Sequence, residues 1–92
     1  MIEYIRDMIL GSFEANVDVD LAALIWSVDA KEHCIPNASE INSALHQVSR
    51  YSISKNETGI KIVSSDAQGL ELISDADIEI AMNIYKSTFG LG

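Results

Sequence analysis

His33 and Cys34 stand side by side, and His46 follows in the next apolar-periodic stretch, which is the raw material for a thiolate–imidazole pair or a soft metal site. A structural zinc takes four ligands at recognisable intervals, and these three side chains are the only soft candidates, so no metal centre is expected. A nucleophilic Cys34 would need an orienting base and an oxyanion site, and no motif here identifies either. The residue types suit a small buried Cys34 and a His33 at the surface or at a helix end. Asp75 and Asp77 have the spacing of a carboxylate pair, but Ser74 before them makes this helix-start chemistry rather than a general acid and base. With no glycine-rich phosphate loop in the chain, neither a cofactor nor an enzymatic activity is expected.

A second set of residues has chemistry suited to binding. Ser39, Asn42, Ser43, His46 and Gln47 lie opposite the apolar positions Ile41, Ala44, Leu45 and Val48 on helical spacing, so they share an outward, polar, nearly uncharged face. Asn and Gln can each pair bidentately with adenine, and Arg50, Lys55 and Lys61 just downstream could meet phosphates. No Arg stands on that face to read guanine, and three bases would release few counterions.

Charge distribution sets these residues apart from the rest of the chain. The 92 residues carry a net charge of −8 with 48% hydrophobic content, which describes one ordered domain spanning 1–92. Residues 1–36 hold two bases against seven acids, and residues 65–92 hold one base against five. Residues 37–64, by contrast, hold three bases against two acids. A negative field repels phosphate backbones and anionic membranes alike, so the balance favours a protein partner. The longest apolar run, Leu21 to Trp26, is far short of the ~20 residues of a spanning helix, and no secretory leader is evident. One cysteine allows no internal disulfide and fits a reducing compartment, so a cytoplasmic location is expected, and Asn56-Glu57-Thr58 is read as a polar turn rather than a glycosylation site.

The elements that must position these residues follow from periodicity. A first helix is expected over about 2–15 on the stripe Met1, Ile5, Met8, Ile9 and Phe13, loosening or ending near Gly11-Ser12. A second spans about 19–32, capped by Asp18 or Asp20, with Leu21, Leu24, Ile25, Val28 and a core Trp26 on its buried side. Pro36 ends it before Ile35. Asn37 and Glu40 then form a capping box that opens a third helix over 37–49. From Arg50 the period becomes two, giving a hairpin over 50–64 with Lys55 to Gly59 as its connection. Asp66 to Gly69 reads as a turn, and Leu70 to Ile73 as either a short strand or a packed loop. Ser74 caps a fourth helix with the stripe Ile78, Ala81, Met82, Tyr85 and Phe89, ended by Gly90, while Ile80 and Ile84 lie partly outside that stripe.

Helices flanking His33 to Pro36 and followed by a two-stranded ribbon resemble the winged helix-turn-helix superfamily in architecture. The resemblance implies an α+β fold with three helices, a β-hairpin wing and a C-terminal helix. It also implies that Ser39, Asn42, Ser43, His46 and Gln47 would face a major groove, with Arg50, Lys55 and Lys61 near the backbone. Such domains serve as protein-binding modules as well, and that use needs no basic face. The acidic balance therefore leads to the expectation of a protein-interaction module with a regulatory or inhibitory role, dimeric through its first or last helix. The alternative is a dimeric, sequence-specific DNA-binding regulator acting through the helix 37–49 and the hairpin 50–64.

Overall fold

The computed structural model describes residues 1–88. In chain order these form α1 (Ile2–Glu14), β1 (Val19–Asp20), α2 (Leu21–Glu32), α3 (Ala38–Val48), β2 (Arg50–Asn56), β3 (Gly59–Gln68) and α4 (Asp75–Thr88). The three strands make one antiparallel sheet in the order β1-β3-β2, so the fold is α+β.

α1 opens without a side-chain cap and forms on periodicity alone, whereas α2, α3 and α4 each start where periodicity and a capping side chain agree. α1 runs through Gly11, which faces open space, to Glu14 and buries Ile5 and Ile9, so the helix does not end near Gly11-Ser12. Asp20 caps α2, its carboxylate accepting from the Ala22 amide at 3.0 Å. The two residues assigned by periodicity to the start of this helix, Val19 and Asp20, instead form β1 and pair with Ile62 and Lys61 of β3. A buried Val19 beside a capping Asp20 satisfies both uses, since the backbone of an N-cap is already extended. α2 ends at His33, whose amide makes the last i to i−4 bond, to the Asp29 carbonyl at 2.8 Å, and whose left-handed backbone (φ 58°) turns the following chain out of the helix. The Asn37/Glu40 capping box opens α3, with bonds of 2.8 and 3.0 Å.

The β2–β3 hairpin is tighter at its tip and longer at its base than the alternation suggests. Asn56 pairs with Gly59, leaving only Glu57 and Thr58 as the turn, and the Asn56 side chain accepts from the Thr58 amide at 2.9 Å. At the base, β3 continues to Gln68 through an irregularity at which pairing jumps from Tyr51↔Ser64 to Arg50↔Gln68. Residues 66–68, expected as a turn, therefore belong to the strand; a bulge lets the chain gain length without losing its partner. Residues 70–73 are a loop and not a further strand.

A single apolar cluster joins α1, α2, α3, the inner face of the sheet, Ile73 and α4. Leu21, Leu24, Ile25 and Val28 of α2 and Ile41, Ala44 and Leu45 of α3 are almost wholly enclosed. Trp26, expected in the core, is 45% exposed, and Cys34 is exposed rather than buried. Both lie on the side of α2 or the following loop that turns away from the cluster. In α4, Ala81 and Tyr85 are buried and Ile80 is half exposed, as the stripe predicts; Phe89 and Gly90 lie outside the described residues. The Tyr85 hydroxyl donates to Asp29 at 3.0 Å and ties α4 to α2.

Candidate functional site

The connection from β3 to α4, residues 69–74, is an extended strap laid against the open edge of β2. Its side chains alternate. Ile73 is buried and Glu71 turns toward the sheet, while Leu70 and Leu72 face out at 85% and 53% exposure. The Glu71 carboxylate accepts from the Ile53 amide at 3.3 Å, supplying the edge strand with an acceptor, and the Glu71 carbonyl accepts from the Tyr51 hydroxyl. Gly69 donates its amide to the Ser49 carbonyl at 2.7 Å. A Cβ at position 69 would overlap the Tyr51 ring, so the backbone passes directly over that ring.

Between this strap and the C-terminal turn of α3 opens a cleft of about 360 Å³. Tyr51, Leu45 and Gly69 lie along it, with His46, Leu70 and Leu72 also lining it and no acid or permanently charged base among the lining residues. Burial and the neighbouring Glu71 carboxylate push the Tyr51 phenol above its ordinary value, so it stays a neutral donor. Ser49 turns the chain at the cleft's edge with φ 67°, a backbone region uncommon for residues other than glycine.

The residues expected to bind have separate fates. Asn42 does not face outward: its amide nitrogen donates to the Ile73 carbonyl at 2.9 Å and its oxygen accepts from the Ile73 amide at 2.8 Å. It anchors the strap to α3 and has no free edge for a base. Gln47 is exposed but accepts from Arg6 at 2.9 Å. Ser39 and His46 are exposed and Ser43 partly so, with His46 on the cleft wall. Arg50 donates to the Asp66 carbonyl within the bulge. Lys55 pairs with Asp77 at 3.0 Å, binding the hairpin to the start of α4. Lys61, partly buried on β3, stands in the middle strand between Asp20 of β1 and Ser54 of β2.

Among the described residues Asp77 is the buried charged side chain, 6% exposed. Burial raises its carboxyl, but bonds from the Ser74 backbone, the Lys55 ammonium and the Ser74 hydroxyl outweigh that and hold it below the usual carboxylate range. The Ser74 amide donates to Asp77 at 2.9 Å while the Asp77 amide donates to Ser74 Oγ at 3.1 Å, a reciprocal cap.

Among the described residues no three His, Cys, Asp or Glu side chains are grouped to hold a metal, and no helix is long and apolar enough to cross a membrane. Compared with protein-family models, curated proteins and solved structures, the chain gives no match.

Of the cleft residues, periodicity places Tyr51 in a strand and Gly69 in a turn, and leaves Leu70 and Leu72 in either a short strand or a packed loop. Their signal was present in the alternation Leu70-Glu71-Leu72-Ile73, which must expose one parity whichever face is buried.

Proposed function

We propose that the chain is a small, acidic, non-enzymatic, winged-helix-like module that binds another protein in a regulatory or inhibitory role. The observation that carries this reading is the cleft beside α3, where Leu70 and Leu72 stand 85% and 53% exposed next to the Tyr51 ring. Exposed leucines rimming a concave, uncharged surface are the usual form of a docking site. The winged-helix-like description rests on element order: α3 leads directly into the long β2–β3 hairpin, and β1, between α1 and α2, completes the sheet. The exposed thiol of Cys34 suits the reducing cytoplasm.

A sequence-specific DNA-binding regulator is the second reading, favoured by the exposed polar residues Ser39, His46 and Gln47 on the helix before the hairpin. Against it stand the commitments of Asn42, Arg50 and Lys55 within the fold. Binding to random-sequence duplex DNA across a salt series separates the two. Tight binding that falls steeply with salt, and that weakens on charge reversal at Lys61, would establish the regulator and remove the protein-binding reading. The protein-binding reading expects no such binding, together with a partner captured from lysate by the native chain and lost with the double substitution Leu70→Ser, Leu72→Ser. The mass in solution, measured alongside, tests a homodimer through α1 or α4, where Leu10 and Ile80 are 38% and 49% exposed.

A further inference from the structure

The charge around the cleft narrows the kind of partner. From Ile62 to Tyr85 the chain carries Asp66, Glu71, Asp75, Asp77 and Glu79 and not one base. This stretch supplies the strap wall of the cleft and the first turns of α4. Only Asp77 is neutralised, by Lys55; the other four acids are exposed. The two guanidinium groups on this side are engaged already, Arg50 with the Asp66 carbonyl and Arg6 with Asp7 and Gln47. Four exposed acids outnumber those two bases, one of which is itself paired with a carboxylate. An uncharged, partly apolar cleft is thus bordered along one wall by net negative charge.

We infer that the cleft takes a basic amphipathic segment of another protein, with apolar side chains seated against Leu70, Leu72 and Tyr51 and flanking Lys or Arg residues facing Asp66 and Asp75, the exposed acids just before and just after the strap. This rests on the protein-binding reading above and adds the chemistry of the partner. The apolar anchors supply most of the affinity, because exposed charge pairs contribute little. The acids supply selection and speed of encounter, drawing basic segments in and turning acidic ones away. A second copy of this chain is a poor occupant, since two molecules of charge −8 would bring like acids together at the rim.

The test titrates the isotope-labelled full-length chain with three synthetic peptides: an amphipathic lysine/leucine peptide, a glutamate/leucine peptide of the same pattern, and oligolysine. Amide shifts locate the site. The lysine/leucine peptide is expected to shift residues 45–51 and 68–73 and to bind on the order of tenfold more tightly than either control. Leu70→Ser with Leu72→Ser should weaken it about tenfold, and Asp66→Asn with Asp75→Asn several-fold, with a flatter salt dependence. These four side chains are exposed, so a melting curve close to native is expected for each variant. Equal binding of the glutamate/leucine peptide at the same amides would overturn the basic partner and leave the docking cleft standing. Equal binding of oligolysine would overturn the apolar anchoring. The absence of shifts at 45–51 and 68–73 with any of the three would overturn both this inference and the reading on which it rests.

Discussion

Asn42 shows how one side chain's surroundings reverse its meaning. A carboxamide on the outer side of a helix can read adenine, but here both of its groups are consumed by the Ile73 peptide, at 2.9 and 2.8 Å. Asn42→Ala should therefore lower stability by about 1–3 kcal/mol, since it strands two partly buried backbone groups, and urea unfolding measures this. Asn42→Asp separates the two bonds. It keeps the acceptor for the Ile73 amide but sets a carboxylate against the Ile73 carbonyl, so its loss should be restored in part by acid. Asp77 makes a second case. Its carboxyl is held below the ordinary range, so the stability it contributes is present above that range and disappears as pH falls through the lowered value. Asp77→Ala should cost about 1–2 kcal/mol near neutral pH through loss of the cap, with Lys55 adding little because its side chain is 52% exposed. Melts from neutral pH down to acid should show the gap between native and variant closing.

At the scale of elements, two glycines distinguish a helix that stands alone from a strap that depends on its neighbours. Gly11 lies inside α1 with nothing near its missing Cβ, so Gly11→Ala should stabilise the protein by up to about 1 kcal/mol, read as a higher melting temperature. Gly69 has the opposite surroundings, because a Cβ there would enter the Tyr51 ring. Gly69→Ala should cost about 1–3 kcal/mol by overpacking and shift the amides of Ser49 and Tyr51, since the ring or the strap must give way. Residues 70–73 could be read as a strand or a loop from their sequence because the answer lies elsewhere. The edge of β2 meets them through one Glu71 side chain and the Tyr51 hydroxyl, not through a ladder of backbone bonds. The register jump at Arg50/Tyr51 was hidden for a similar reason: Ser64 to Gln68 holds turn-forming residues, and only pairing with Arg50 makes them a strand.

Across the whole molecule, charge and tyrosine burial set the working range. Burial raises the phenols of Tyr51 and Tyr85, and the nearby carboxylates of Glu71 and Asp29 raise them further. A value raised by folding means that this contribution is complete below the ordinary tyrosine range, about pH 10, and is lost as pH climbs through the raised value. Alkaline unfolding should therefore be shallower in a Tyr51→Phe, Tyr85→Phe double variant than in the native chain, although the variant starts from lower stability. The same two hydroxyls tie the strap to the sheet and α4 to α2, so the alkaline transition should loosen the cleft and the last helix together.

The amino-acid sequence by itself determined the helices, their caps, the hairpin and the net charge. The net charge is a sum over residue types, and the helices and caps are set by neighbours within a few residues: Asn37 with Glu40, Ser74 with Asp77, Ile41 with Ala44, Leu45 and Val48. Tertiary structure alone decided that Val19 and Asp20 join the sheet, that Trp26 and Cys34 stay at the surface, and that Asn42, Arg50 and Lys55 hold the fold together. It also decided that Leu70 and Leu72 border a cleft beside α3. Those outcomes join residues far apart in the chain, and such pairings exist only once the core has brought their elements into contact.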